Sequence, residues 1–219
     1  MNETKIKTAY KQSKNIYDDV LTQNSWFSKL YINLFWGVND WEIVNKVLAY
    51  IPDNFSGELL DVPVCTGVFT ANKYAELTKA QITCIDYSQD MLAQAENRYK
   101  SIDLQNVTCI QGDVGKLPFD NEKFDIVLSM NGFHAFLDKT KAFDETARVL
   151  KRGGLFIGCF YIKKEYRRTD FVVNCILSKK GWFTPPFHTK WELEDILKKR
   201  YKTVELHSDK AMVWFRCVK

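Results

Sequence analysis

The chain has 219 residues, 46% of them hydrophobic and 26% charged, with a formal net charge of +4. This composition excludes a disordered chain and a membrane-embedded one, and the small basic excess excludes a dedicated nucleic-acid binder. The length fits one domain with additions better than two full domains.

The start, MNETKIKTAYKQSKN, lacks the apolar segment of a secretory signal. The longest apolar run, GLFIGCFYI (154–162), is too short to span a bilayer. A cytoplasmic location with no transmembrane segment is therefore expected. LYINLFWG and WEIVNKVLAYI place apolar side chains at three- and four-residue steps, which predicts helices. Asn39 or Asp40 caps the second, and Pro52, Asp53 and Asn54 mark a break after it.

Strands and helices then alternate. ELLDV (58–62) reads as a strand, VFTANKYAELT (68–78) as a helix and QITCID (81–86) as a strand. SQDMLAQAENRYK (88–100) is a helix with a Ser cap, and NVTCIQGD (106–113) is a strand. After the turn KLPFDNEK come a strand, FDIVLSMN (124–131), a helix, KAFDETARVLK (141–151), and the strand GLFIGCFYI. Arg152 and Gly153 stop that helix. A stretch without clear period runs on to TPPFHT. The helix WELEDILKKR (191–200) follows, and KTVELHS and AMVWFRCVK close the chain as a hairpin. Strand interiors that are apolar without alternation predict an α/β fold, a doubly wound parallel sheet buried on both faces. The hairpin adds an antiparallel edge.

Open sheets of this kind bind ligands beyond the carboxyl ends of their strands. After the first strand stands Asp61-Val62-Pro63-Val64-Cys65-Thr66-Gly67. A dinucleotide fingerprint needs glycine at the positions held by Pro63, Cys65 and Val68, so a pyrophosphate ligand is disfavoured. Gly67 permits close backbone approach or an angle that a side chain forbids. Asp86 ends the second strand, either as a ribose-hydroxyl acceptor or simply as a strand end and helix cap. Asp113 follows the third strand, either as an acceptor from an exocyclic amine or in an Asx turn. The six cysteines form no C-x-x-C pair and have no His at metal-ligand spacing. They read as buried thiols, and no metal site is expected.

The set DVPVCTG, CIDYSQDML, CIQGDVGKLPFDNEKFDIVLSMNGFH and ETARVLKRGG, in that order, resembles the class I S-adenosylmethionine-dependent methyltransferases. More narrowly it resembles the type 11-like group that includes the menaquinone and ubiquinone C-methyltransferases. The resemblance covers residues 57 to 160. It implies a Rossmann-like seven-stranded sheet of order 3-2-1-4-5-7-6, with strand seven antiparallel. It also implies S-adenosyl-L-methionine as cofactor and S-adenosyl-L-homocysteine as product. Asp61 and the turn Val62, Pro63, Cys65, Thr66 and Gly67 would hold the methionine end. Asp86 would bind the ribose hydroxyls, and Tyr87 and Met91 would pack on the adenine. Asp113 would accept from the adenine amine with the Val114 N–H on the ring. Ser129, Met130 and Asn131 would form the floor beneath the sulfonium methyl. Family members usually carry glycine at 63 and 65, so Cys65 is expected to keep a negative φ and turn its side chain away.

The resemblance implies methyl transfer by in-line displacement, with positioning as the main source of acceleration. His134, in the loop after the fourth strand, is the candidate base or acceptor-orienting group, ahead of His188; His207 reads as structural. Tyr17 and Trp36 reach the pocket if the N-terminal segment (1–52) is a helical lid. The insertion (161–190), rich in Phe, Tyr and Trp, is expected to shape the pocket for a small apolar or aromatic acceptor. Ser129-Met130-Asn131-Gly132 stands where amino-methylating DNA enzymes carry a Pro-Pro-aromatic motif, so a DNA substrate is not expected. An RNA or protein substrate, or a catalytically silent cofactor-binding protein, is the alternative. The basic cluster KKEYRR (163–168) and SKKGW (178–182) reads first as a solvated face. An anionic substrate, RNA or a membrane surface are its other readings. Oligomeric state is not encoded in any motif.

Overall fold

The computed structural model describes residues 38–219. Most of the expected N-terminal lid, with Tyr17 and Trp36, lies outside the described residues. The described residues open with α1 (Asp40–Leu48), for which Asn39 is the cap: its side-chain oxygen accepts the Trp41 N–H at 3.1 Å. β1 (Glu58–Asp61), α2 (Ala71–Glu76), β2 (Gln81–Asp86), α3 (Gln89–Ser101) and β3 (Val107–Gln111) follow. β4 (Phe124–Met130), α4 (Lys139–Val149) and β5 (Leu150–Tyr161) complete the alternating part.

The sheet order is β3-β2-β1-β4-β5-β7-β6, with β6 (Thr203–Asp209) and β7 (Met212–Val218) forming the terminal hairpin. β1 to β5 pair in parallel, and β7 runs antiparallel to both β5 and β6. This is the order and direction that the resemblance implies. The pairing Asp61↔Cys84 and Asp61↔Leu128 aligns the carboxyl ends of β1, β2 and β4 on one edge. Strand order reverses between β1 and β4, and the crevice belongs at that point.

Both faces are covered. One core joins α1, α2 and α3 to the sheet through Val44, Val47, Tyr74, Leu92 and Ala95. The other carries Ala142 and Phe143 of α4 and Leu193 and Leu197 of α7 (Lys190–Lys198). Phe133, just after β4, stacks on Phe143 with centroids 4.1 Å apart and anchors the loop that leaves the crevice.

The segment after β5 differs from its sequence reading. It is helical over about half of its length: α5 (Arg167–Val172), a π-helical turn (Val173–Leu177) and α6 (Ser178–Lys180) run end to end. The π turn shifts the side-chain period away from 3.6, which removes the pattern that identifies a helix. Gly181, at φ +84°, ends the run as a left-handed cap.

Candidate active site

The site is built on the turn after β1. Asp61 is buried at the strand end. Its Oδ2 accepts the Tyr74 hydroxyl at 2.8 Å, whereas Oδ1 is buried and has no hydrogen-bond partner. The Thr70 hydroxyl lies close enough to help lower the Asp61 carboxyl, and it also pairs with the Tyr99 hydroxyl at 3.1 Å. Burial pushes the Asp61 carboxyl up to about 7, against the opposing pull of the Tyr74 hydroxyl.

The turn itself is tied down on all sides. The Val62 N–H donates to the Leu128 carbonyl and the Val64 N–H to the Ile85 carbonyl. The Cys65 N–H donates to Asp86 Oδ2 at 2.9 Å, and Arg98 Nε donates to the Thr66 carbonyl at 3.0 Å. Gly67 has φ +68°, and a Cβ there would meet the Tyr99 hydroxyl at 2.6 Å, so two constraints demand glycine. Cys65 corrects the sequence reading: its φ is +52°, in the left-handed region, not negative. In this conformation its N–H meets the Asp86 carboxylate. Pro63, after a cis bond, packs against Gly132, where a Cβ would run into its ring.

Among the described residues, two cavities open beside this turn. The smaller, about 20 Å³, is bounded by Asp61, Cys65, Gly67, Phe69, Met130 and Asn131, among others. As it stands it takes one water-sized body. The larger, about 450 Å³, has Asp86, Tyr87, Asp113 and Val114 on one side and Phe136 and Leu137 on the other. Val62 also lines the larger cavity, and Pro63 lines both. Asp86 and Asp113, two of the three acids that line the larger cavity, are already partly used. Asp86 Oδ1 accepts the Ser88 N–H at 2.8 Å in addition to the Cys65 bond at Oδ2, and burial raises its carboxyl to about 6. Asp113 Oδ1 accepts the Gly115 N–H at 2.8 Å, the Asx turn foreseen as one of its two readings.

Most of the predicted residues thus converge, but four stand apart. Thr66, Met91 and Ser129 are buried and line neither cavity; Ser129 Oγ has no partner. Met91 is buried in the first turn of α3 and donates its N–H to the Ser88 cap. His134 lines neither cavity either. Its ring stacks on Phe183 with centroids 3.9 Å apart, and its Nδ1 accepts the Tyr161 N–H at 3.4 Å. Burial, then the Lys139 charge, lowers its pKa to about 3, so it is a neutral packing group and a weak base. His188 lies in the same region, its Nε2 buried without a partner, and burial lowers its pKa too.

The sequence reading missed Asp40. Its sequence position suggests a helix cap, yet the cap is Asn39 and Asp40 is buried in the first turn of α1. Burial raises its carboxyl to about 6. Its charge acts on the Cys159 thiol, whose Sγ lies 4.0 Å from Asn131 Oδ1, at the wall of the smaller cavity. The next residue, Trp41, meets Phe69 of the same wall edge-on at 5.0 Å. An acid in a first helical turn reads as a partner of the helix dipole, so no sequence signal separated it. The insertion was only partly read. Tyr161, Phe183 and Phe187 pack together at 5.3 to 6.3 Å, but Phe160 joins the opposite core and Phe171 is 66% exposed.

The chemistry of these side chains suits a sulfonium amino acid bearing an adenosine once the smaller cavity widens to take the amino-acid end. The orphaned Asp61 oxygen suits an ammonium group, the larger cavity has apolar walls for a flat base, and its carboxylates suit hydroxyl and amine donors. Residues 60–158 match the family described as "Methyltransferase domain". The demethylmenaquinone methyltransferase of Chlorobaculum tepidum is 31% identical over 161 residues, covering 72% of this chain and 61% of that one. The chain spans about a third to three fifths of the length of the curated relatives it matches. A SAM-dependent methyltransferase structure from Thermotoga maritima superposes with a TM-score of 0.68 at 17% identity, over 98% of this chain and 99% of that one. The phosphoethanolamine N-methyltransferase 2 of Haemonchus contortus gives 0.72 at 18% identity, over 98% and 60%. Both structural likenesses concern the fold. With the matched segment spanning the crevice and the sheet in this order, the chain belongs to the class I S-adenosylmethionine-dependent methyltransferases.

Proposed function

We propose that this protein transfers a methyl group from S-adenosylmethionine to a small acceptor with an apolar or aromatic body. The observation that carries the reading is Asp61 Oδ1, a buried carboxylate oxygen without a partner on a cavity wall. Such an oxygen is costly unless a donor arrives, and an amino-acid ammonium is the donor that the family's cofactor brings. Cys65 and Gly67 would flank the same amino-acid end. Asp86 would accept the ribose hydroxyls on its remaining lone pairs, and Asp113 the adenine amine. Tyr87 and Val114 would hold the ring, and Met130 and Asn131 the floor. When bound, the cofactor supplies an electrophilic methyl group on a sulfonium, open to in-line attack.

This chain's residues do the positioning. Where the acceptor must shed a proton, Asp40 is the group we assign to receive it, in place of His134. Like His134 it lines neither cavity, but its charge reaches the Cys159 thiol beside Asn131, its neighbour Trp41 packs on Phe69, and a carboxyl near 6 ionises at neutral pH yet still takes up a proton. The small apolar acceptor is supported by the aromatic packing of Tyr161, Phe183 and Phe187, and by relatives named for demethylmenaquinone.

Titration calorimetry with S-adenosylmethionine and S-adenosylhomocysteine is the first test, and binding of both is expected. Label transfer to a panel of phenols, hydroquinones and amines is the second. No heat from either ligand on folded protein would remove the reading. Binding without transfer to any acceptor would favour a silent binding protein. That second reading draws on the 20 Å³ cavity, which must widen to admit an amino-acid chain.

A further inference from the structure

The helix α5–π–α6 exposes a face that the methyl-transfer reading leaves unused. Thr169, Val172, Val173 and Leu177 turn inward and are buried. Phe171 is 66% exposed and Ile176 41%, with Cys175 exposed between them. Arg167 and Arg168 stand exposed at one end of this apolar centre, and Lys179 and Lys180 at the other. No ion pair or hydrogen bond engages the side chains of Arg167, Arg168 and Lys179 among the described residues, and Lys180 only covers the Trp182 ring at 5.1 Å. By contrast, Lys163 in the same insertion pairs with Glu192, and Lys198 and Lys199 of α7 pair with Glu194 and Asp195.

We propose that this face is a docking surface for a lipid bilayer containing anionic phospholipids. The pattern is that of a helix lying in the interfacial plane. An apolar centre sinks among the acyl chains, while cations on long stems at both ends reach back to the phosphates. Fourteen residues, about 21 Å long, give the two cationic ends separate headgroups to contact. Trp182, half-buried beside Lys180, adds an aromatic side chain of the kind that favours the headgroup level. A polynucleotide would use the cations but has no use for the aliphatic Ile176 beside them, so the bilayer is favoured. The face follows β5, whose carboxyl end lies on the crevice edge of the sheet, so docking would bring that edge to the membrane. The proposal stands on its own, whether or not the acceptor is apolar.

Flotation with vesicles of phosphatidylcholine alone, and with half phosphatidylglycerol, tests it on the full chain. Binding is expected to the anionic vesicles only, and to weaken with salt. Arg167→Glu with Arg168→Glu should lower partitioning at least 30-fold, and Phe171→Ser with Ile176→Ser about tenfold. These side chains are exposed, so unchanged circular dichroism and melting are expected of both variants. Lys198→Glu with Lys199→Glu makes the same charge change on α7 and should leave binding intact. The proposal is overturned by any of four results: no flotation, flotation that survives loss of Phe171 and Ile176, equal loss in the α7 control, or tighter binding to a mixed-sequence RNA than to vesicles.

Discussion

The carboxylate of Asp86 holds the backbone of Cys65: Oδ2 accepts the Cys65 N–H at 2.9 Å across a separation of 21 residues. The same carboxylate caps its own turn through Ser88 at 2.8 Å. The end of β2 therefore shapes the turn after β1, and the two halves of the crevice are one hydrogen-bonded unit. Asp86→Ala leaves both N–H groups without this acceptor and removes the acceptor for ribose hydroxyls. Hydrogen bonds to a charged group are worth about 1.5–3 kcal/mol each. Cofactor affinity should fall about 100-fold in calorimetry, while circular dichroism shows the fold retained. Unchanged affinity would mean that Asp86 serves the turn alone.

Cys65→Gly tests the cost of that arrangement. A residue with a Cβ held at φ +52° bears a penalty of about 1–2 kcal/mol. Glycine removes it, but it loses more chain entropy on folding. The net expectation is a gain of about 0.5 kcal/mol and a melting temperature about 1–2 °C higher in scanning calorimetry. Cofactor affinity should rise several-fold, because the side chain narrows the cavity of about 20 Å³. Weaker binding in the glycine variant would show that the thiol contacts the ligand.

The legible parts of this molecule were those with one physical cause. Leu59, Leu60, Cys84 and Ile85 are buried on both sheet faces, so their strands read as unbroken apolar runs. Asp61, Asp86 and Asp113 were found because each follows such a run. Their partners were not found, because Tyr74 and Tyr99 reach the turn from helix interiors, where an aromatic residue reads as core. The left-handed Cys65 was hidden for a related reason: its N–H bonds a carboxylate in another strand, a contact that the local sequence does not reveal. The insertion helix disappeared behind its π turn. Its apolar residues also divide between buried Val172, Val173 and Leu177 and exposed Phe171 and Ile176, which blurs any single face.

Asp61 gives the protein a measurable pH signature. Its folded pKa, about 7, is above the ordinary value of 3.8, so the folded state holds the proton longer than the unfolded chain. Its favourable contribution is complete below about pH 4 and is lost as pH rises to about 7. Asp86, raised to about 6, acts in the same direction. Other carboxylates, such as Glu192 at about 2, oppose them, so the absolute curve is a mixture. Comparison with Asp61→Asn isolates the effect. The variant should melt level with wild type at pH 4 and above it at pH 8, while binding the cofactor at least tenfold more weakly at pH 8. A melting difference that stays flat with pH would show that Asp61 is not buried as an uncompensated acid.

Asp40 and His134 make opposite predictions about turnover. His134 is a neutral ring packed on Phe183, and Lys139 beside it donates at 3.0 Å to the Phe136 carbonyl. His134→Ala should lower the melting temperature by several degrees through the lost stack. The rate per folded, cofactor-saturated molecule should stay within about threefold, since burial keeps this ring a neutral, weak base packed on Phe183. Asp40→Asn is nearly isosteric and removes a carboxyl that burial raises to about 6. It should leave affinity for S-adenosylhomocysteine unchanged and lower kcat about 100-fold for acceptors that lose a proton. The wild-type kcat should rise with pH through about 6 as the Asp40 carboxyl ionises, and that rise should be absent from the variant. For an acceptor that attacks with a free lone pair, such as a deprotonated amine, the two proteins should turn over alike. That contrast separates a proton acceptor from a residue that only packs, because a packing defect would slow both acceptors equally.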